Sequence, residues 1–201
     1  LQFLNDLLIV NPDCEIVINT NLKNLPSEWK KIILSFKNFT VTISCDAVGK
    51  LGSYVRYPLE WNKFEENVKF CKNNDISIMF NLVASNLTVH DIYRTIEWMN
   101  QYTNSISLSP VFGDIWTHIA IPTNQRQRYI DNLTKLKKFQ VDKWHAHQFR
   151  LNVESLIKKY HEDNYDKNVH EMLKNEIRLQ DMHRTVQLKD ADAFLNSWIF
   201  N

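Results

Sequence analysis

The chain reads as an α/β protein on a parallel sheet with a helical region after it, and three observations say so. Short apolar, β-branched runs recur at residues 15–19, 39–45, 76–83 and 106–109. Between them lie stretches of roughly 10 to 15 residues with apolar positions at helical spacing. Beyond Pro122 the strand signal stops and only helical spacing remains.

Taken in order, Leu1, Leu4, Leu7 and Leu8 already show helical spacing, so the chain is expected to open inside an element, with an upstream portion missing. Pro12 and Asp13 make a turn, and residues 15–19 read EIVIN, a buried strand. A loop over residues 20–25 leads to Pro26, placed in a first helical turn, with Trp29, Ile32, Ile33 and Phe36 following on one face. After the second strand a long loop is expected, then a helix carrying Trp61, Phe64, Val68 and Cys71 that Pro58 can start. The third strand leads to Asn86 or Thr88 as the cap of a helix burying Val89, Ile92, Ile96 and Met99. Later helices carry Tyr129, Leu133 and Leu136, then Phe149, Val153, Leu156 and Tyr160, then Val169, Leu173 and Ile177, and last Phe194, Leu195 and Trp198. The division is therefore an α/β part over residues 1–122 and a helical extension over residues 123–201.

Strands apolar on both faces and separated by helices imply parallel pairing, in a barrel or a doubly wound sheet. In either, the carboxyl ends of the strands converge on the ligand site.

Composition narrows the function classes. At 201 residues and 44% hydrophobic the chain can bury one ordinary core. Its apolar runs fall far short of the roughly 20 residues of a membrane helix, so no membrane partner is expected. Lys+Arg 24 against Asp+Glu 23 leaves no global field for nucleic acid, and the densest basic cluster, Lys135, Lys137 and Lys138, reads as a solvated helix face. Cys14, Cys45 and Cys71 fit neither a disulfide framework nor a CxxC metal site, which points to a reducing, cytoplasmic location. The sequons at Asn38, Asn86 and Asn132 read as chance, because no signal peptide precedes them.

Polar residues recur at the strand ends: Asn19, Thr20 and Asn21; Ser44 and Asp46; Asn81 and Ser85; Ser107 and Ser109. Any one alone most simply satisfies backbone groups or caps a helix. Together, around one crevice, they suit a ligand rich in donors and acceptors, such as a nucleoside or an amino acid. Arg56, twelve residues past Ser44 and between Tyr54 and Tyr57, could take a carboxylate in bidentate fashion, against the plainer reading of a surface arginine. His145 and His147 lack the cysteine or carboxylate that a zinc site would need at recognised spacing. Trp116 and His118, after the last strand, are placed to meet a substrate. Trp29, Trp61, Trp98 and Trp198 read as core.

The segment ISCDAVGKLGSYVRYPLEW, with the upstream INTNL, resembles the radical S-adenosylmethionine (radical SAM) enzymes, particularly the subgroup with a short carboxyl-terminal twitch extension. The resemblance covers about residues 14–122. It implies a partial (β/α) barrel, strands 3 to 6 of a (β/α)6 barrel, in which S-adenosylmethionine sits against a 4Fe-4S cluster. Ser44 and Arg56 would hold the methionine carboxylate, Thr20 and Asn21 would lie near the amino or ribose groups, and Asp46 and Asn81 would sit nearby. The implied chemistry is a 5′-deoxyadenosyl radical abstracting hydrogen from a substrate that the sequence does not name, with electrons from a separate donor. Two hallmarks of the family, the CxxxCxxC loop and the GGEP-like strand, are not in this sequence; both precede the matching region in the family, so cluster ligands are expected upstream and this chain alone is expected to be inactive. No cysteine follows Cys71, so no auxiliary cluster is expected in the extension. The competing reading is a non-catalytic α/β domain that binds a small ligand or serves as a scaffold.

Overall fold

The β-branched runs do pair. In the computed structural model, which describes residues 2–200, they form a four-stranded, wholly parallel sheet in the order β1-β2-β3-β4. The strands are β1 (Glu15–Thr20), β2 (Asn38–Ser44), β3 (Ser77–Ala84) and β4 (Ile106–Pro110), each within a residue or so of the run that predicts it. Helix α1 (Gln2–Val10) precedes them; α2 (Ser27–Ser35) links β1 to β2, α3 (Gly49–Val55) and α4 (Trp61–Asn73) link β2 to β3, and α5 (Ile92–Met99) links β3 to β4.

Register assigns every strand residue to a face, because partners in a parallel ladder point the same way and successive residues alternate. One face holds Ile16, Ile18, Val41, Ile43, Ile78, Phe80, Leu82, Ile106 and Leu108. The crossover helices cover it. Phe36, just past α2, meets Phe39 of β2 at 6.1 Å between ring centres. Trp98 of α5 packs on Phe80 of β3, on Trp61 and Phe64 of α4 and on Tyr102. The other face alternates to Asn19, Thr40, Thr42, Ser44, Ser77, Met79, Asn81, Val83, Ser107 and Ser109, most of them half-buried or exposed.

After β4 the chain makes short 3-10 turns at Asp114–Trp116, His118–Ala120 and Thr123–Gln125, then runs through α6 (Gln127–Leu136), α7 (Ala146–His161), α8 (Lys167–His183), α9 (Leu188–Ala191) and α10 (Ala193–Ile199). Helix α7 closes the outer edge of β4: the Asn152 amide donates to the Leu108 carbonyl at 2.6 Å, satisfying a ladder group beside which no further strand lies among the described residues. The turn beyond α7 is tied back by Arg126, a fully buried guanidinium that donates to the carbonyls of Ile121 and Glu162 and to the Asn164 side chain. Tyr129 and Tyr160 stack at 5.2 Å between α6 and α7. Among the described residues no helix is long and apolar enough to cross a membrane.

Four expectations need correction. The long loop after β2 contains helix α3, obscured in the sequence by the glycines of GKLGSYV, which count against a helix interior. Gly52 is required there, since a Cβ would collide with the Ala47 carbonyl and the Trp61 ring. Pro58 does not start α4, whose N-cap is Glu60, and Pro26 is the N-cap of α2 rather than part of its first turn. Asn86 does not cap the helix after β3 but donates to the carbonyls of Ile115 and Thr117; Thr88 holds the N-cap position of the 3-10 turn Val89–Asp91 that runs into α5, without a side-chain cap bond, and accepts from the Ser85 amide.

Candidate small-ligand site at the carboxyl ends of the strands

The strand-end residues do not all gather. Asp46, just past β2, and Arg56, the C-cap of α3, form an ion pair at 2.9 Å, with both side chains mostly covered. The second Asp46 oxygen accepts the Val83 amide of β3 at 2.9 Å, so one carboxylate fastens the β2 loop to the neighbouring strand and aims the guanidinium. The Arg56 Nε is buried and has no hydrogen-bond partner among the described residues. Ser44 and Asn81 lie beside the pair on the polar face, in register with each other and with Ser107. Thr42, one pleat back on that face, buries its hydroxyl without a partner among the described residues.

Thr20 and Asn21 serve the β1 turn instead. Thr20 Oγ1 accepts the Leu22 amide at 2.9 Å and Asn21 Oδ1 accepts the Lys23 amide at 3.1 Å. Together with the Asn67 amide on the Leu22 carbonyl, these bonds hold Leu22 at a positive φ of 48°. By register Thr20 shares the helix-covered face with Ile43 and Phe80, and it lines a separate cleft of about 430 Å³ with Leu4, Trp29 and Ile33. Asn19 is the β1 residue that shares the polar face.

The cleft at the carboxyl ends, about 230 Å³, lies between the sheet and α8. Asp46, Val83, Ser85 and Val111 form the sheet side, Val55, Leu87 and Trp116 add apolar surface, and Gln180 and Arg184 come from the end of α8. Arg184 donates to the Tyr54 carbonyl at 2.7 Å and lies over the rings of Tyr54 and Tyr57 at 4.7 and 5.8 Å. Burial first, and then the nearby Asp181 carboxylate, push the Tyr54 phenol well above its ordinary range, so it stays protonated. Sequence reasoning missed Gln180 and Arg184, which come from a region without strand-end signals. Trp116 does face the cleft. His118 instead faces Asn164 at 2.9 Å and Glu162, and burial, then Arg126, lower its pKa.

Cys45 and Cys71 are not poised for ligation. Burial drives the Cys45 thiol far above its ordinary range and pushes Cys71 up to about 11, so both stay protonated. Among the described residues no group of three or more His, Cys, Asp or Glu side chains could hold a metal ion. His145 turns to Asp142 at 2.9 Å rather than pairing with His147. Comparison with protein-family models, with curated proteins and with solved structures returned no match.

Proposed function

We propose that the four strands are an arc of a (β/α) barrel of the radical SAM type and that their polar face takes part of S-adenosylmethionine. The observation that carries this is the Asp46–Arg56 pair at the carboxyl ends, beside Ser44 and Asn81 on one face. The residues fit the polar end of the cofactor. Arg56 Nη1, which forms no ion pair among the described residues, and the Ser44 hydroxyl would hold the methionine carboxylate, and the Asn81 amide would meet the amino group or the ribose. Such a cofactor supplies hydrogen abstraction when it is bound beside a 4Fe-4S cluster. What this chain contributes is grip and orientation. The described residues do not fit the cluster itself, so its ligands, and the partner that delivers electrons, would lie outside them.

One observation favours the second reading, a domain that binds a small ligand or serves as a scaffold without redox chemistry. Asp46 already satisfies one edge of Arg56, and a carboxylate ligand has to share that guanidinium with it. Equilibrium dialysis of the chain against labelled S-adenosylmethionine separates the two. Under the first reading it binds, and Arg56→Ala and Asn81→Ala each weaken it about tenfold or more, as loss of a charged or polar anchor does. No binding, or binding that Arg56→Ala leaves unchanged, overturns it.

A further inference from the structure

The cleft beneath α8 has a chemistry of its own. Arg184 is held flat by two tyrosine rings and one carbonyl, so one guanidinium edge is committed and the opposite edge lies in the same plane. Among the described residues Arg184 forms no ion pair. Asp46, the acid in the lining, is taken up by Arg56 and the Val83 amide. Asp181, one turn before Arg184, accepts the Leu188 amide and faces Tyr54. The Gln180 amide donates to Glu176, which leaves its carbonyl oxygen uncommitted. The cleft therefore carries one cation that forms no ion pair among the described residues, facing a wall of Val55, Val83, Leu87, Val111 and Trp116.

We infer that this cleft binds a small aliphatic carboxylate, its carboxylate on the free edge of Arg184 and its apolar body against Val83, Val111 and Trp116. A fixed guanidinium presents the bidentate geometry that a carboxylate matches, and the half-desolvated setting strengthens the pair. At about 230 Å³ the space is smaller than the roughly 300 Å³ at which drug-sized pockets begin, which favours a short acid. The sheet and the carboxyl-terminal helices build the site jointly, which gives α8 a function beyond covering the strand ends. The inference does not depend on S-adenosylmethionine binding.

Isovalerate is the probe, followed by proton–nitrogen correlation spectra of the whole chain. It is expected to shift the Trp116 indole and the Gln180 side-chain amide, while isovaleramide, of the same shape without the charge, binds at least about tenfold more weakly. Arg184→Ala is expected to abolish those shifts. Because Arg184 also braces α3, Gln180→Glu is the second variant: it leaves the stacking in place, sets a rival carboxylate beside the cation, and is expected to weaken isovalerate about tenfold or more. An unmoved Trp116 resonance, equal binding of the amide, or an unaffected Gln180→Glu variant overturns the inference. No nucleoside is present in these titrations, so they fail or succeed independently of the dialysis.

Discussion

The two faces of the sheet are made of the same strands and do opposite things. On the helix-covered face Val41, Ile43, Phe80, Leu82 and Ile106 are buried against α2, α4 and α5, and apolar area removed from water is what fixes their register. On the other face Ser44, Asn81 and Ser107 line up in one row, with Asn19 a pleat back, and with far less burial. A sheet needs one apolar face to fold. Rows of Ser, Thr and Asn in register on the opposite face add little stability, so they are free to meet a ligand, and the contrast predicts where substitutions hurt folding and where they do not.

The largest effect is expected at Phe80, fully buried and in contact with Trp98 at 5.7 Å. Phe80→Ala removes that packing and leaves a cavity, and should cost about 3 to 5 kcal/mol in urea unfolding. A loss below about 1 kcal/mol would mean that the helices do not hold the sheet through this face.

Asp46→Ala comes next, because it crosses from one role to the other. It strands the Arg56 guanidinium in a mostly covered place and leaves the Val83 amide without its acceptor. A loss of about 2 kcal/mol is expected. No change in the urea midpoint would mean that the pair is ornamental to the fold.

Away from the sheet, Asp192 at the N-cap of α10 meets the buried His90 at 2.8 Å and accepts the Leu195 amide. Burial raises its pKa and is the largest single influence, but the His90 hydrogen bond and charge, the Leu195 amide and Arg128 together outweigh it, and the carboxyl is held below its ordinary value. A depressed folded pKa means that this stabilisation is in full force above the unfolded value of about 3.9 and is lost as pH falls through the folded one. Asp192→Asn should cost about 1.5 kcal/mol at neutral pH and flatten the acid side of the stability profile. Identical profiles for the two proteins below about pH 4 would rule out Asp192 as the titrating group.

How much of this was legible follows from the same contrast. Strand positions were readable because β-branched runs such as residues 15–19 carry their own signal, and the helix faces from Trp29 to Ile177 were readable because burial repeats at helical spacing. Which polar strand-end residues share a site was not, because that depends on alternation: Thr20 and Asn19 are neighbours in sequence and point to opposite faces. Asp46 and Arg56 were readable as candidates, but not as partners of each other, since α3 between them was hidden by its glycines. Arg184 was invisible, because a contact across 130 residues leaves no local pattern.

The smallest expected effect has the opposite sign. Thr42 is 3% exposed, and its hydroxyl has no partner among the described residues, whereas its backbone sits mid-strand in register with Asn19 and Met79. Thr42→Val exchanges that hydroxyl for a methyl of nearly the same shape, keeps the β-branched preference for strand, and removes the cost of an unsatisfied buried donor. On folding grounds alone the variant should be more stable by about 1 kcal/mol. Because that hydroxyl is closed off from the surface, the same variant should bind S-adenosylmethionine as the original chain does. If Thr42→Val is instead destabilising, the hydroxyl is satisfied within the folded protein, and this buried position of the polar face contributes to folding through its polar group.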